Sequence, residues 1–131
     1  YSKEVIEYFK NPINMGIIED ANGIGQVKNE ICSDIIKIYV KVNEKNIIEN
    51  AKFQAKGCPP VIASCCELTR LVKCMKIEEA LKINEKIIIE NLGGLPNEKE
   101  HCAELVVKTL EKAILNFEKN LWDFDIDSKY P

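Results

Sequence analysis

The spacing of the apolar residues changes abruptly at one segment, Gly57 to Pro60. Before it, apolar and polar residues alternate as in half-buried strands, at Ile36, Ile38, Val40, Val42, Ala51, Phe53 and Ala55. After it, apolar positions recur every three or four residues, as in the inner stripe of a helix, at Val61, Cys65, Leu68, Val72 and Met75. Strands followed by helices indicate an α+β fold in which helices cover a small antiparallel sheet.

The strand region is predicted to contain three strands. Residues 43–46 read as a turn, so the alternating segments on either side of it should form an antiparallel hairpin. A shorter strand is expected around residues 25–30. Residues 2–10 are predicted to be a helix capped by Ser2, with Val5, Ile6 and Phe9 on its inner face.

The second half of the chain is predicted to be helical. Two short helices are expected over residues 77–82 and 84–91, and a long helix should begin at a capping box formed by Asn97 and Glu100. The inner stripe of this long helix is Cys102, Leu105, Val106, Thr109, Ala113 and Phe117. No repeat or linker interrupts the pattern, so we predict a single domain over residues 1–131.

Charge and composition exclude several classes of function. The chain has 131 residues and a formal net charge of −3, with no basic block, so nucleic acid and anionic membranes are not expected as partners. No apolar run approaches the ~20 residues that span a bilayer. Six cysteines could indicate disulfides, but that interpretation belongs to short secreted chains, and the start of this chain does not resemble a secretory signal. We therefore expect reduced thiols and a cytoplasmic location.

Three cysteines lie at boundaries between elements. Cys32 is at the start of the long strand, Cys58 precedes a helix, and Cys102 is in the first turn of the last helix. Asp34 follows Cys32 by two residues, so both side chains point the same way in an extended chain, and His101 adjoins Cys102. Strand ends and helix starts at one edge of a small α+β domain can converge, which predicts one site made of these five residues.

This donor set suits a soft metal. Thiolates favour Zn, Cu(I) or iron–sulfur clusters, imidazole favours Zn or Fe, and a carboxylate alone prefers harder ions. Helix N-termini lower thiol pKa values, which helps Cys58 and Cys102 to exist as thiolates. Near Cys102, Lys99 favours the thiolate and Glu98 and Glu100 oppose it, so the sequence leaves the net direction open. Neighbours on a helix point about 100° apart, so His101 and Cys102 should reach one object as two ligands more easily than they form a proton-transfer pair.

Structural interpretations exist for the same residues. The spacing of the three boundary cysteines, with 25 and 43 intervening residues, does not by itself establish a shared site. Asp34 could be a charge at a strand edge, and His101 an ordinary surface residue. The other cysteines are predicted to be structural or incidental; they are Cys65, Cys66 and Cys74.

Several segments resemble the IscU/NifU-type iron–sulfur cluster assembly scaffold family (NifU N-terminal-like domain) over nearly the whole chain. They are YSKEVIEYFKNPINMG at the start, CSD at 32–34, GCPPVIAS at 57–64 and LPNEKEHC at 95–102. The resemblance implies an α+β scaffold, without enzymatic activity, that assembles a labile [2Fe–2S] cluster and transfers it to other proteins.

The resemblance also implies roles for individual residues. Cys32, Cys58 and Cys102 would receive sulfur and hold the cluster, with His101 or Asp34 at the fourth position. Cys102 matches the usual acceptor of persulfide sulfur, and Lys99 a basic neighbour of the site. Asp34 matches a carboxylate linked to cluster lability. The resemblance further implies that an overlapping ligand set can bind Zn²⁺, so zinc in the isolated protein would not be surprising.

The partners implied are a cysteine desulfurase, an iron donor and apo iron–sulfur acceptor proteins, and the chain would be a monomer or a cluster-bridged homodimer. An alternative is a zinc-binding persulfide acceptor that relays sulfur from a cysteine desulfurase without building a cluster. A thiol hydrolase using Cys102 and His101 is a third hypothesis, which the adjacency of the two residues and the lack of a second histidine disfavour.

The chain departs from the family pattern at several positions. Ser33 replaces a glycine, which removes low-cost access to positive φ. Pro59 and Pro60 replace small residues and remove two N–H donors that could bond to cluster sulfides, so we expect altered cluster lability. Cys66 replaces a small residue and could act as a spare thiol. LPNEK lacks the second Pro and the Val of the segment that a dedicated Hsp70-type chaperone recognises, so the resemblance does not predict recognition by that chaperone.

Overall fold

The computed structural model describes residues 1–29 and 33–129, with side chains as far as residue 120. The strands are β1 (Gly23–Asn29), β2 (Asp34–Val42) and β3 (Ile48–Lys56). The helices are α1 (Lys3–Lys10), α2 (Pro59–Val72), α3 (Ile77–Ala80), α4 (Glu85–Asn91) and α5 (Glu100–Lys129), with a 3₁₀ turn at Asn97–Lys99. This element order confirms the predicted α+β fold.

The described strands form one antiparallel sheet with β2 in the centre. Ile38 on β2 lies opposite Gly25 on β1 and Phe53 on β3, and both Ile38 and Phe53 are wholly buried against the helices. The predicted hairpin and the additional short strand are therefore confirmed, although Glu30, at the end of the predicted first strand, lies outside the described residues.

Glycines on β1 allow α5 to approach the sheet very closely. A Cβ added at Gly25 would lie 2.5 Å from the backbone nitrogen of Ala113 and nearer still to the carbonyl oxygen of Thr109. Gly23 faces the next turn of α5, where its Cβ would meet the carbonyl oxygen of Ala113. The position of α5, which carries His101 and Cys102, is thus set by contact between two backbones.

α2 is buried on nearly all sides, and its predicted stripe through Val61, Cys65, Leu68 and Val72 is confirmed as part of the core. The burial extends to a carboxylate, because Glu67 is only 2% exposed. Its oxygens accept hydrogen bonds from Tyr8 on α1 at 2.8 Å, from Arg70 at 2.6 and 3.0 Å, and from Asn91 on α4 at 2.8 Å. This buried charge joins three helices.

The predicted inner face of α1 was partly wrong. Ser2 caps the helix through a bond from the backbone N–H of Val5, and Val5 is fully buried, as expected. Ile6 and Phe9, however, are 44% and 48% exposed. The helix instead turns Tyr8 inward, because its hydroxyl group can satisfy the buried Glu67.

The start of α5 also differs from the prediction. Pro96 is the N-cap of the 3₁₀ turn, and no side chain makes a cap hydrogen bond there, so the capping box assigned to Asn97 and Glu100 is wrong. The chain tightens into this turn and α5 continues directly from it at Glu100. Neither α5 nor any other helix within the described residues combines the length and apolarity needed to cross a membrane.

Candidate functional site

The fold brings most of the predicted site residues to one edge of the sheet. Asp34 is the first residue of β2, Cys58 is the N-cap of α2, and His101 and Cys102 lie in the first turn of α5. Cys32, the remaining predicted member, lies outside the described residues. A strand start and two helix starts meet at this edge, and it was the position of these residues at element boundaries that led to the prediction of a shared site.

The sulfur atoms of Cys58 and Cys102 are 3.8 Å apart, and both thiols are free. This separation far exceeds the ~2.05 Å of a disulfide. Two sulfurs bonded at about 2.3 Å to one tetrahedral ion would lie about 3.8 Å apart. The two thiols are therefore spaced as a pair of ligands to a single tetrahedral ion would be.

His101 lies beside the same thiol. Its Nε2 atom is 3.8 Å from the sulfur of Cys102, close to the ~3.6 Å expected between a nitrogen and a sulfur on one tetrahedral ion. Adjacency on the helix therefore does not keep the exposed imidazole away from the sulfur. The distance suits two ligands of one ion.

Asp34 lies beside the thiols and is 8% exposed. A Cβ added at Gly57 would be 3.0 Å from its carboxylate oxygen, so the carboxylate packs against the residue that precedes Cys58. Gly57 was not among the residues predicted for the site. A glycine directly before a candidate ligand was the available signal, since any side chain there would crowd the carboxylate.

The electrostatics of Cys102 disfavour its thiolate. Burial of the side chain, followed by the neighbouring Cys58 and the negative charge of Asp34, raises the pKa of Cys102 to about 12, and Lys99 only partly opposes this rise. The direction that the sequence left open is therefore towards the protonated thiol, against the effect of the helix N-terminus. At neutral pH the thiol is protonated, so a bound cation must displace its proton.

No group of three or more His, Cys, Asp and Glu side chains within the described residues is arranged to hold a metal ion. The described site consists of a thiol pair with an imidazole and a carboxylate beside it. Cys32, predicted as the third thiol, lies outside the described residues.

Ser33, next to the site, has φ = +58°. The replacement of glycine by serine therefore has not removed the left-handed conformation; the serine adopts it. Non-glycine residues pay about 1–2 kcal/mol in this region, so the turn before Asp34 carries local strain.

The other cysteines are placed as predicted for structural residues. Cys65 and Cys66 are completely buried in the core, where burial raises the pKa of both thiols, that of Cys66 to about 11. Cys74 is exposed just beyond α2, with φ = +72°. Since Cys66 is inaccessible in this structure, a role as a spare thiol would require the core to open.

Comparison with known proteins places these features in context. The NifU-like N terminal domain model matches residues 1–122. The iron–sulfur cluster assembly scaffold protein IscU 1 of Archaeoglobus fulgidus is 47% identical over 121 residues, covering 92% of this chain and 78% of its own length. The IscU scaffold protein of Aquifex aeolicus is 43% identical over 118 residues, covering 89% and 75% respectively.

A solved structure shares the fold. It is the protein FiSufU of Fervidobacterium islandicum AW-1, described as a candidate iron–sulfur cluster assembly scaffold for the SUF system. The two superpose with a TM-score of 0.70 and 26% sequence identity, over 86% of this chain and 95% of the other.

Proposed function

Because the chain belongs to the NifU-like N-terminal domain family, we propose that it is an assembly scaffold on which a labile [2Fe–2S] cluster is built and from which it is transferred. We further propose that residues 1–131 act as a single scaffold domain without enzymatic activity. The relatives named as IscU scaffold proteins, similar over about nine-tenths of this chain, support this function.

One observation in the site carries the proposal. Thiols from two separate helices, Cys58 and Cys102, lie 3.8 Å apart without a disulfide. Burying two facing thiols gives the fold little by itself, whereas this spacing suits two ligands of one tetrahedral iron. Cys32 is proposed as the third thiolate, and His101 or Asp34 as the fourth ligand.

This ligand set accounts for lability. Three thiolates with one nitrogen or oxygen ligand should hold iron and sulfide less durably than four thiolates, so a cysteine of an acceptor protein can enter at the fourth position. The two candidate fourth ligands differ in access, since His101 is exposed and Asp34 is buried. Exchange with an acceptor should therefore begin on the His101 side.

Sulfur is proposed to arrive as persulfide from a cysteine desulfurase, with Cys102 as acceptor. This thiol is buried and its pKa is about 12, so its proton must leave as its sulfur attacks the outer sulfur of the desulfurase persulfide. The new S–S bond on Cys102 forms as the S–S bond of the donor breaks, and the cysteine thiolate of the desulfurase leaves and takes up a proton. The positive charge of Lys99 favours loss of the proton from Cys102. An iron donor and apo iron–sulfur acceptors complete the set of partners, and the need for free thiols suits a reducing compartment such as the cytoplasm.

Anaerobic reconstitution tests the proposal. The purified chain is incubated with Fe²⁺, cysteine and a desulfurase, and acid-labile sulfide, iron and visible absorption are measured. A [2Fe–2S] chromophore that moves to an apo-ferredoxin is expected. Stoichiometric zinc with persulfide on Cys102 and no chromophore would instead support the zinc relay and refute the scaffold.

Cysteine variants assign the ligands. Replacing Cys32, Cys58 or Cys102 by alanine should abolish cluster retention, whereas Cys74→Ala, at an exposed position, should retain the cluster. A cluster retained without Cys58 would contradict the assignment of the thiol pair.

The carboxylate has a separate test. Asp34→Ala should lengthen the lifetime of the cluster, since a labile oxygen donor beside the site is lost, and decay of the visible spectrum under nitrogen measures this lifetime. A shorter lifetime would show that Asp34 stabilises the cluster instead.

A further inference from the structure

The sheet face turned away from the helices is strongly basic. Along β2 the side chains of Ile36, Ile38 and Val40 enter the core, so the alternate residues point to the other face. The pairing register extends this face to both neighbouring strands. It carries five lysines, which we call the basic sheet face: Lys28, Lys37, Lys41, Lys52 and Lys56.

None of the strand residues paired on this face is acidic. Apart from the five lysines, the residues on this face are Ile24, Gln26, Ile35, Tyr39, Asn50 and Gln54. Glu49 lies only at the bulge, where the pairing shifts at the far end of β3 from the thiol site. Among the described residues, the one ion pair on the face joins Lys41 to Asp20 at 3.6 Å, and Asp20 is 77% exposed. Lys41 also shares a pocket with Glu44 and Glu49. The uncompensated charge among the described residues is therefore that of the other four lysines, which make no ion pair there: Lys28, Lys37, Lys52 and Lys56.

The charge is segregated within an acidic protein. The net charge of −3 includes +5 from this face, so the remainder of the chain carries −8. An extended polyanion or a flat anionic bilayer would contact the acidic remainder of the chain as well as the basic sheet face, and the acidic remainder would repel it. A folded protein with a local patch of carboxylates would meet the lysines alone.

The basic sheet face is continuous with the thiol site. Lys28 and Lys56 flank Ile35 in one row across the three strands. The next residue of β2 towards the site is Asp34, and Cys58 follows Lys56 by two positions. A partner bound to the lysines would therefore have its own edge beside the candidate ligands.

We propose that the basic sheet face is the docking surface for an acidic protein that exchanges its cysteines with the thiol site, that is, for an acceptor of the cluster. The inference rests on the proposed scaffold function and adds the charge and position of the acceptor. The face is about 20 Å long, from six residue steps, and about 10 Å wide across three strands. This is well below the ~800 Å² per partner of a stable complex, so the encounter is transient and steered by charge.

Binding is measured with the cluster-free full-length chain, so that the surface is tested even if the chain assembles no cluster. The probe is an apo-[2Fe–2S] ferredoxin of acidic isoelectric point, followed by fluorescence anisotropy in 20 mM salt. The test variant is Lys52→Glu/Lys56→Glu. The control, Lys112→Glu/Lys119→Glu, makes the same charge change on exposed positions of α5. Lys52→Gln/Lys56→Gln replaces the test variant if circular dichroism shows that reversal unfolds the sheet.

Reversal on the face should weaken binding about tenfold or more, and reversal on α5 less than about twofold. The difference should vanish at 1 M salt, where the Debye length falls to about 3 Å. Equal effects of the two double variants, or none, would overturn the docking surface. Tighter binding of a 20-base-pair RNA duplex or of phosphatidylglycerol vesicles than of the ferredoxin would overturn the choice of a protein partner. Loss of cluster assembly with binding intact would overturn the scaffold function alone.

Discussion

The buried carboxylate of Glu67 yields a stability prediction that can be worked from its contacts. Glu67→Gln keeps the shape of the side chain but removes the charge and turns an amide N–H₂ towards donors. Arg70 is half exposed, so its ion pair contributes less than about 1 kcal/mol. The bonds from Tyr8 and Asn91 lose their charged acceptor, and one donor faces another donor, which costs about 1–3 kcal/mol. We expect a total loss of about 3 kcal/mol in the free energy of unfolding.

Urea unfolding followed by circular dichroism measures this loss. Glu111→Gln, on the exposed side of α5, is the matched control and should change the free energy by less than about 0.5 kcal/mol. Tyr8→Phe and the Glu67→Gln/Tyr8→Phe double variant complete a cycle. Because both single variants weaken or remove the same hydrogen bond between Tyr8 and residue 67, their effects should not add. The assignment of Glu67 as the link between α1 and α2 would be refuted if Glu67→Gln and Glu111→Gln lowered the free energy of unfolding equally. Additive effects of Glu67→Gln and Tyr8→Phe on that free energy would also refute it.

The same carboxylate predicts a pH dependence. Burial acts to raise the pKa of Glu67, but the hydrogen bonds from its three partners outweigh burial and the pKa is lowered overall. A lowered folded-state pKa means that the stabilisation is complete above the unfolded value of about 4.3 and is lost as the pH falls through the lower folded value. The stability difference between the wild type and Glu67→Gln should therefore be constant near pH 7 and shrink in acid.

Three further predictions concern the backbone and the thiols. Ser33→Gly should raise the free energy of unfolding by about 1 kcal/mol because glycine adopts a positive φ at little cost. Asn46→Gly, at φ = +62°, should raise it by less because asparagine already tolerates this conformation. Urea unfolding measures both changes. Gly25→Ala should lower the free energy of unfolding by about 1–3 kcal/mol in the same assay, since its Cβ meets the backbone of α5; an unchanged midpoint would contradict that packing. In the metal-free chain at pH 7.5, iodoacetamide should label the exposed Cys74 well before the buried Cys102, whose pKa is about 12. Peptide mass spectrometry measures the order of labelling, and earlier labelling of Cys102 would contradict the prediction.

The periodic parts of the fold were predictable because each side chain on them has one dominant contact, with the core or with water. The alternation through Ile36 and Ile38 predicted the central strand, and the stripe through Val61 and Leu68 predicted α2. The prediction failed where a polar group is buried. Nothing in a helical charge pattern shows that Glu67 is 2% exposed, although Arg70 three residues later was a partial signal.

The candidate site was predictable in its composition and less so in its chemistry. Boundaries between elements indicated that Cys58 and Cys102 could meet, because those boundaries follow from local sequence. The protonation state of Cys102 depends on its complete burial and on neighbours brought from distant segments, Asp34 among them. The helix N-terminus was only one of several opposing influences, so the sequence alone left the net direction open.

The glycine contact between β1 and α5 has a consequence for the gap between the two sulfurs. Gly25 touches α5 at Thr109, seven residues and about 10 Å along the axis from Cys102. Because α5 contacts the β1 backbone directly, a shift of the helix at Gly25 should also move the first turn of α5, which carries Cys102. A substitution on β1 that contacts neither thiol is therefore expected to change the distance between the sulfurs of Cys58 and Cys102.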